Sequence, residues 1–249
     1  MQAFHEARFA PAVLSLVVVG DVTPTRALAG AASVFGPWQA MVPSTITLPS
    51  PPHNPPRRES VATMMNKSQA DIAYGFTTIT CADPRYYAFL LMNNALGQYS
   101  LGGRLGDSIR ERQGMAYYAF SAFDGNVIES PLIIRVGVNP TNVDRAVASI
   151  DQEITKIGHE GLSADELGDC KRYLIGSMPR MLETNAAIAR FLQTSEFFGL
   201  GTDYDLRLPT LLDAVTLDEV NAAAATLSPE HAALVIAGPY KQKAMSNEQ

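Results

Sequence analysis

Hydrophobic periodicity along the chain gives short strand patterns first and a longer run of helical ones afterwards. The first apolar block, Leu14 to Val22 (LSLVVVGDV), is rich in β-branched residues and bounded by Pro11 and Gly20, which predicts a buried strand. A helix should follow at once: Thr23 suits the cap, Pro24 the first helical position, and Ala27, Leu28, Ala31, Val34 and Phe35 share a face that ends at Gly36-Pro37. Farther on, Val61–Met65 and Ala70–Thr80 alternate well enough for two strands. Asp83-Pro84 then opens a helix with Tyr87, Leu90, Leu91 and Asn94 at helical spacing. A second helix is expected over Arg104–Arg112, stopping at Gly114. Strand patterns at Ala116–Phe123 and Val127–Val138 are joined by Asp124-Gly125-Asn126, which is good hairpin-turn chemistry. Helices come next at Val143–Ile157, after the capping box Ser163–Glu166 with Pro179 expected to kink or end the helix, at Ala186–Phe198, and after the cap Thr216–Glu219. Strands followed by helices argue for an α+β fold, an antiparallel sheet with helices packed on one face.

The last strand pattern, Pro229–Tyr240, repeats the first. P-A-V-L-S-L-V-V-V-G aligns without a gap on P-E-H-A-A-L-V-I-A-G, so that Pro11, Leu16, Val17 and Gly20 match Pro229, Leu234, Val235 and Gly238 at an offset of 218 residues. That offset is domain-sized and reads as a duplicated domain. The helix leading into the second copy should then have a counterpart before Pro11, of which only the end is present. Pro43 to Pro56 holds six prolines and almost nothing that could pack, which predicts an extended linker. The expected organisation is the C-terminal tail of a preceding homologous domain over 1–40, a linker over 41–57, a complete second domain over 58–240 and a short tail over 241–249.

Composition narrows the chemistry. The 249 residues are 47% hydrophobic and 18% charged, enough for a buried core and incompatible with disorder as the dominant state. Nineteen Lys and Arg against 25 Asp and Glu leave a net charge of −6 and no basic surplus for nucleic acid or an anionic membrane. The longest apolar runs fall far short of the ~20 residues that span a bilayer. Residues 1–9 carry charges where a secretory signal has its apolar stretch, so a soluble chain is expected, with cytoplasm and periplasm both open. Cys81 and Cys170 read as buried free thiols. Of the histidines His5, His53, His159 and His231, none belongs to H-E-x-x-H or to H-x-x-E-H, so no metal site is expected in this chain. There is no G-x-S-x-G, no P-loop and no strand-linked G-x-G-x-x-G. Leu101-Gly102-Gly103 could offer backbone N–H groups to an anion, although glycine there serves equally to start a turn.

The segment that stands out is Ser100–Phe123 (SLGGRLGDSIRERQGMAYYAFSAF), a helix–Gly–strand unit with charges at its bend. Arg110 in the last helical turn and Tyr117 at the start of the next strand could point into one space, brought round by Gly114. Both donate hydrogen bonds, and Arg stays charged, so the pair suits carbonyl oxygens of an extended peptide or a developing oxyanion. A plainer role fits as well, with Arg110 paired to Asp107 along the helix and Tyr117 packing.

This segment resembles the second domain of the M16 metallopeptidases, the family of pitrilysin and the mitochondrial processing peptidase. The resemblance rests on S-L-G-G-R-L-x-x-x-I-R-E-R-x-G-M-A-Y, with V-V-V-G-D-V, T-P and F-G-P-W ahead of it, and covers roughly residues 4 to 240. It implies two homologous α+β domains joined by a linker, with Arg110 and Tyr117 as substrate-binding residues near the scissile bond. It also implies that the zinc motif H-x-x-E-H, absent here, lies in an upstream domain or in a partner subunit, so that this chain binds no cofactor and is inactive alone. The implied partners are a homologous zinc-bearing M16 domain or subunit and a peptide substrate, with a homodimer also possible. Within the same fold the alternative is a non-catalytic structural or peptide-binding module.

Overall fold

A computed structural model describes residues 1–39, 48–52, 54–98 and 103–241. Its strands are β1 (Arg58–Thr63), β2 (Ala70–Thr77), β3 (Ala116–Phe123), β4 (Pro131–Val138) and β5 (Ala233–Gly238). Its helices are α1 (Gln2–Arg8), α2 (Pro24–Phe35), α3 (Tyr86–Asn93), α4 (Val143–Glu160), α5 (Ala164–Met181), α6 (Asn185–Phe197), α7 (Tyr204–Ala214) and α8 (Leu217–Ala224). The chain divides into two units, one made of Ser50–Ile175 with Thr210–Gln249, the other of Met1–Pro49 with Gly176–Pro209.

The first unit holds the sheet, in the order β1-β5-β2-β4-β3. Neighbours run antiparallel except β1 and β5, which are parallel. Strict alternation makes one face apolar: Ile72, Tyr74 and Phe76 of β2, Leu132, Ile134 and Val136 of β4, and Leu234 and Ile236 of β5 are all buried. Helices cover that face. α4 packs on β2 and β4 with a buried stripe at helical spacing, Ala146, Ile150, Ile154 and Ile157, while α3 meets β3 and α8. Both capping boxes form: Glu166 N–H donates to Ser163 Oγ and Ser163 N–H to Glu166 Oε2, and Thr216 and Glu219 do the same. The mixed α+β architecture expected from the strand and helix order is the one observed.

Several boundaries differ for local reasons. β1 begins at Arg58 and stops at Thr63 because its partner is the short β5, not a hairpin neighbour. The second hairpin strand starts at Pro131 instead of Val127: Thr78 and Ser130 pair through Thr78 N–H to Ser130 O at 2.8 Å, and Cys81 N–H reaches Asn126 O at 2.7 Å, so residues 124–130 fold into a wide loop in place of a tight turn. Pro179 lies inside α5, which ends two residues later at Met181, and α7, not expected from the sequence, forms with Pro209 inside it.

The other unit contains no strand among its described residues. Leu14–Val22 pairs with no strand among the described residues, and Leu14, Leu16 and Val18 are exposed. A strand pattern specifies only which side chains would face inward; the hydrogen bonds have to come from a neighbour. The repeat nevertheless survives in the backbone. Pro11–Val13 and Pro229–His231 are matching 3-10 turns, Gly20 and Gly238 have φ of 154° and 156°, and the bonds Val22 N–H to Gly20 O and Tyr240 N–H to Gly238 O are 2.9 and 2.8 Å long. Burial separates the two copies: Leu16 is 50% exposed and its counterpart Leu234 is 2% exposed. Ala10 and Ser195 are the buried residues among the described part of this unit.

The sheet is tied to α4 by the buried Tyr74, whose Oη donates to Asp151 Oδ1 at 2.7 Å, with Arg57 Nη1 on the same oxygen at 2.8 Å. Burial, reinforced by the bond to Asp151, pushes the Tyr74 phenol above its ordinary pKa, so it remains a donor at any working pH. Tyr74→Phe should cost about 1–2 kcal/mol, read from the urea midpoint at unchanged slope.

Candidate functional site

The sheet ends on β3, whose far side has no strand beyond it among the described residues. Its pairing with β4 steps from Ala116↔Val138 to Tyr118↔Gly137, so Tyr117 is the extra residue of a β-bulge. Tyr117 is 67% exposed. A hollow of about 400 Å³ is lined by five consecutive residues of this strand, Tyr118 to Ala122, together with Gln98 and Arg110.

Arg110 comes from a turn-widened helix, Gly106–Arg112, where the ordinary helical repeat was expected. Such π-type turns recur at functional sites. Gly114, at φ +62°, reverses the chain into β3, and its N–H bonds to Arg110 O at 3.0 Å. Asp107 pairs with Arg112 at 2.6 Å, not with Arg110; the Arg110 side chain, 45% exposed, meets Glu111 only at 3.7 Å. Its guanidinium thus borders the hollow with donors to spare. The structure puts Arg110 beside Tyr118 and Phe120 along the hollow, while Tyr117 projects at the bulge and is not among the lining residues.

The widened helix is anchored at its start. Arg104 donates Nε and Nη2 to the two carboxylate oxygens of Glu166 at 2.8 and 2.9 Å, and Nη2 also reaches Gly161 O at 2.8 Å. The bonds from Arg104, against a smaller opposing effect of burial, hold the Glu166 carboxyl down at about pH 2.

Three further residues shape the edge and escaped the sequence reading. Tyr118 donates its Oη to Asp71 Oδ1 at 2.8 Å, Asp71 also binds Lys67 and Gln69, and Gly137 lies opposite Tyr118. The one sequence signal was Gly137 inside the apolar strand pattern, since an isolated glycine there marks a bulge or a close approach.

No group of three or more His, Cys, Asp or Glu that could hold a metal occurs among the described residues. His5 lies in α1, His159 in the last turn of α4 and His231 in the turn before β5, and His53 falls outside the described residues, as do Ser100, Leu101 and Gly102. The described side chains therefore do not fit a zinc ion. Cys81 and Cys170 are free thiols; burial raises both, Cys170 to about 12. No helix among the described residues is long and apolar enough to cross a membrane.

The first unit is thus a mixed α+β module whose five-stranded sheet ends on a strand with an arginine beside it. The model of the peptidase M16 inactive domain matches residues 1–174, and the chain belongs to that family. It is 27% identical over 182 residues to YmxG of Bacillus subtilis, named an uncharacterized zinc protease, covering 73% of this chain and 44% of that one. A protein of Mycobacterium leprae with the same description is 24% identical over 255 residues, covering 98% of this chain and 55% of its own. Among solved structures, a peptidase M16 inactive domain from Pseudomonas fluorescens superposes with a TM-score of 0.76 at 25% identity, over 90% of this chain and 53% of that one. The chain spans about half the length of the relatives it matches.

The Arg104–Glu166 pair gives a pH-dependent test. The Glu166 carboxyl is depressed from 4.5 to about 2, so its contribution is complete above pH ~4.5 and fades as pH falls towards 2. Because the carboxylate is partly exposed, that contribution is discounted to about 1 kcal/mol. Glu166→Gln should therefore be less stable than the parent by this amount at pH 7, and the two unfolding curves should converge on acidification.

Proposed function

We propose that this chain is the substrate-binding half of an M16-type zinc peptidase, or of that enzyme's zinc-free subunit, and that it grips an extended peptide for hydrolysis at a zinc site elsewhere. The observation that carries the reading is the free edge of β3, with Arg110 bordering its hollow and Tyr117 turned outward at the bulge. A peptide laid along β3 finds main-chain partners in the unpaired backbone, as in other cases of strand addition. The Arg110 guanidinium and Tyr117 hydroxyl supply donors for its carbonyl oxygens or for the oxyanion that develops at the scissile bond. Zinc is supplied by a companion M16 domain or subunit.

The same reading accounts for residues 1–40 as the tail of a preceding homologous domain, joined by the proline-rich segment over 41–57 to the second domain over 58–240. The backbone match of residues 10–22 with 228–240 supports it, as does the exposure of Leu14, Leu16 and Val18 where the second copy is buried. In β5 that pattern lies between a parallel and an antiparallel neighbour, and the companion domain offers the equivalent places. Limited proteolysis should cut between Leu14 and Val22 in the isolated chain and spare the site once the companion is bound. Equal cutting in both would count against the tail.

In the zinc-bearing assembly, Arg110→Ala should lower kcat/KM for a quenched fluorescent peptide by roughly 10²–10³-fold, while the isolated chain cleaves nothing. Full activity of the variant assembly would overturn the assigned role. Such a result would favour a structural module of the same fold.

A further inference from the structure

Two tyrosines stand side by side at the start of β3, and the proposed grip needs the outward one held in place. Tyr118, Gly137 and Asp71 form one row across β3, β4 and β2. Neighbouring strands are about 4.8 Å apart, so a β3 side chain can reach a residue on β2 only if the position between them is bare. Gly137 supplies that gap: a Cβ added there would meet Tyr118 Cε1 at 2.5 Å and would also strike Gln69. The Tyr118 ring therefore crosses β4, and its Oη donates to Asp71 Oδ1 at 2.8 Å.

Asp71 is itself held. Lys67 pairs with Oδ2, and Gln69 Nε2 donates to Oδ1 at 2.6 Å. Burial pushes the Asp71 carboxyl up, but the bonds from Lys67, Tyr118 and Gln69 outweigh it and leave the group below its usual value. Burial and the bond to Asp71 push the Tyr118 phenol up to about 12. Acceptor and donor both keep the required protonation across the neutral range.

Side chains alternate along a strand, so a slip of one residue would exchange the places of Tyr117 and Tyr118. We infer that Tyr118, clamped to Asp71 across Gly137, is the positioning residue that fixes the bulge and turns Tyr117 outward beside the β3 edge. This deepens the proposed function, since it concerns the residue assigned there to hold the peptide. Tyr118 acts through Tyr117 and needs no contact with substrate of its own.

The experiment places 3-fluorotyrosine at position 117 of the whole chain and follows its fluorine resonance. One resonance is expected in the parent, a shifted or split one in Tyr118→Ala and Gly137→Ala, and a broadened one in Tyr118→Phe, which keeps the ring and loses the bond to Asp71. Val235→Ala, at an exposed position on β5, should leave the resonance in place. An unmoved resonance in a folded Tyr118→Ala protein overturns the inference; should Gly137→Ala fail to fold, Tyr118→Phe decides in the same way. A second readout is fluorescence anisotropy with a labelled peptide of alternating Val and Thr. Tyr118→Ala should weaken its binding roughly tenfold in the parent and less than twofold in the Tyr117→Phe background, the signature of coupled residues. Where Tyr117→Phe by itself weakens binding, equal weakening by Tyr118→Ala in both backgrounds also overturns it. If Arg110→Ala and Tyr117→Phe leave binding unchanged while the resonance shifts as expected, the proposed grip fails and the positioning role stands.

Discussion

A strand at the end of a sheet keeps a row of backbone donors and acceptors that no neighbour takes up, and β3 is such a strand in this protein. Natural sheets commonly blunt an edge with charge, with proline or with a bulge. Here the bulge sits at the first residues of β3, leaving Tyr118 to Phe123 in regular pairing with β4 and therefore regular along the open side too. Water alone would satisfy those groups, at the risk of pairing with any passing chain. The Arg110 guanidinium beside the same edge changes the balance, because it adds a charge that favours a carbonyl-rich ligand and hinders close stacking of a second cationic edge.

That guanidinium meets only Glu111, at 3.7 Å, and two other carboxylates on or near its helix are engaged by other arginines. Asp107, the nearest candidate by helical spacing, is taken by Arg112, and Glu166 is taken by Arg104 through a two-oxygen clasp. The clasp fixes the beginning of the widened helix, and Gly114 fixes its end. Arg110 is held between two anchored points on a π-type turn. A mobile lysine on a surface loop would carry the same charge but would lose more freedom on binding, and its ammonium could not hold two carbonyl oxygens in one plane.

Much of the sheet was legible because its inward face alternates without interruption; Ile72, Tyr74 and Phe76 declare β2 by themselves. The capping boxes at Ser163 and Thr216 were legible for an equally local reason. Arg110 and Tyr117 could be picked out by their place around a glycine turn, yet their surroundings could not. Spacing suggested Asp107 as the plain partner for Arg110, and the widened turn brought Arg112 to it instead. Nothing in the string of letters tells which of two consecutive tyrosines is bonded to the sheet, because the answer depends on Asp71, two strands away and 47 residues distant in sequence. Pro179, expected to kink or end its helix, stands two residues before the end of α5, while α7 holds Pro209 inside it and was not expected from the sequence.

The two copies of the repeated strand pattern give the sharpest control on that lesson. Residues 10–22 and 228–240 share their turn, their glycine geometry and the bond that follows it, so local sequence determines local backbone in both. Only the copy flanked by β1 and β2 is a strand, and only there are the apolar side chains buried. Local preference sets these turns and stops there. What converts the pattern into sheet in β5 is a pair of neighbours, and the copy without them leaves its apolar side chains exposed. The β3 edge shares that condition in milder form, paired on one side and open on the other. In both places the residue pattern is present, and the hydrogen bonds that would complete a sheet have to come from outside the strand itself.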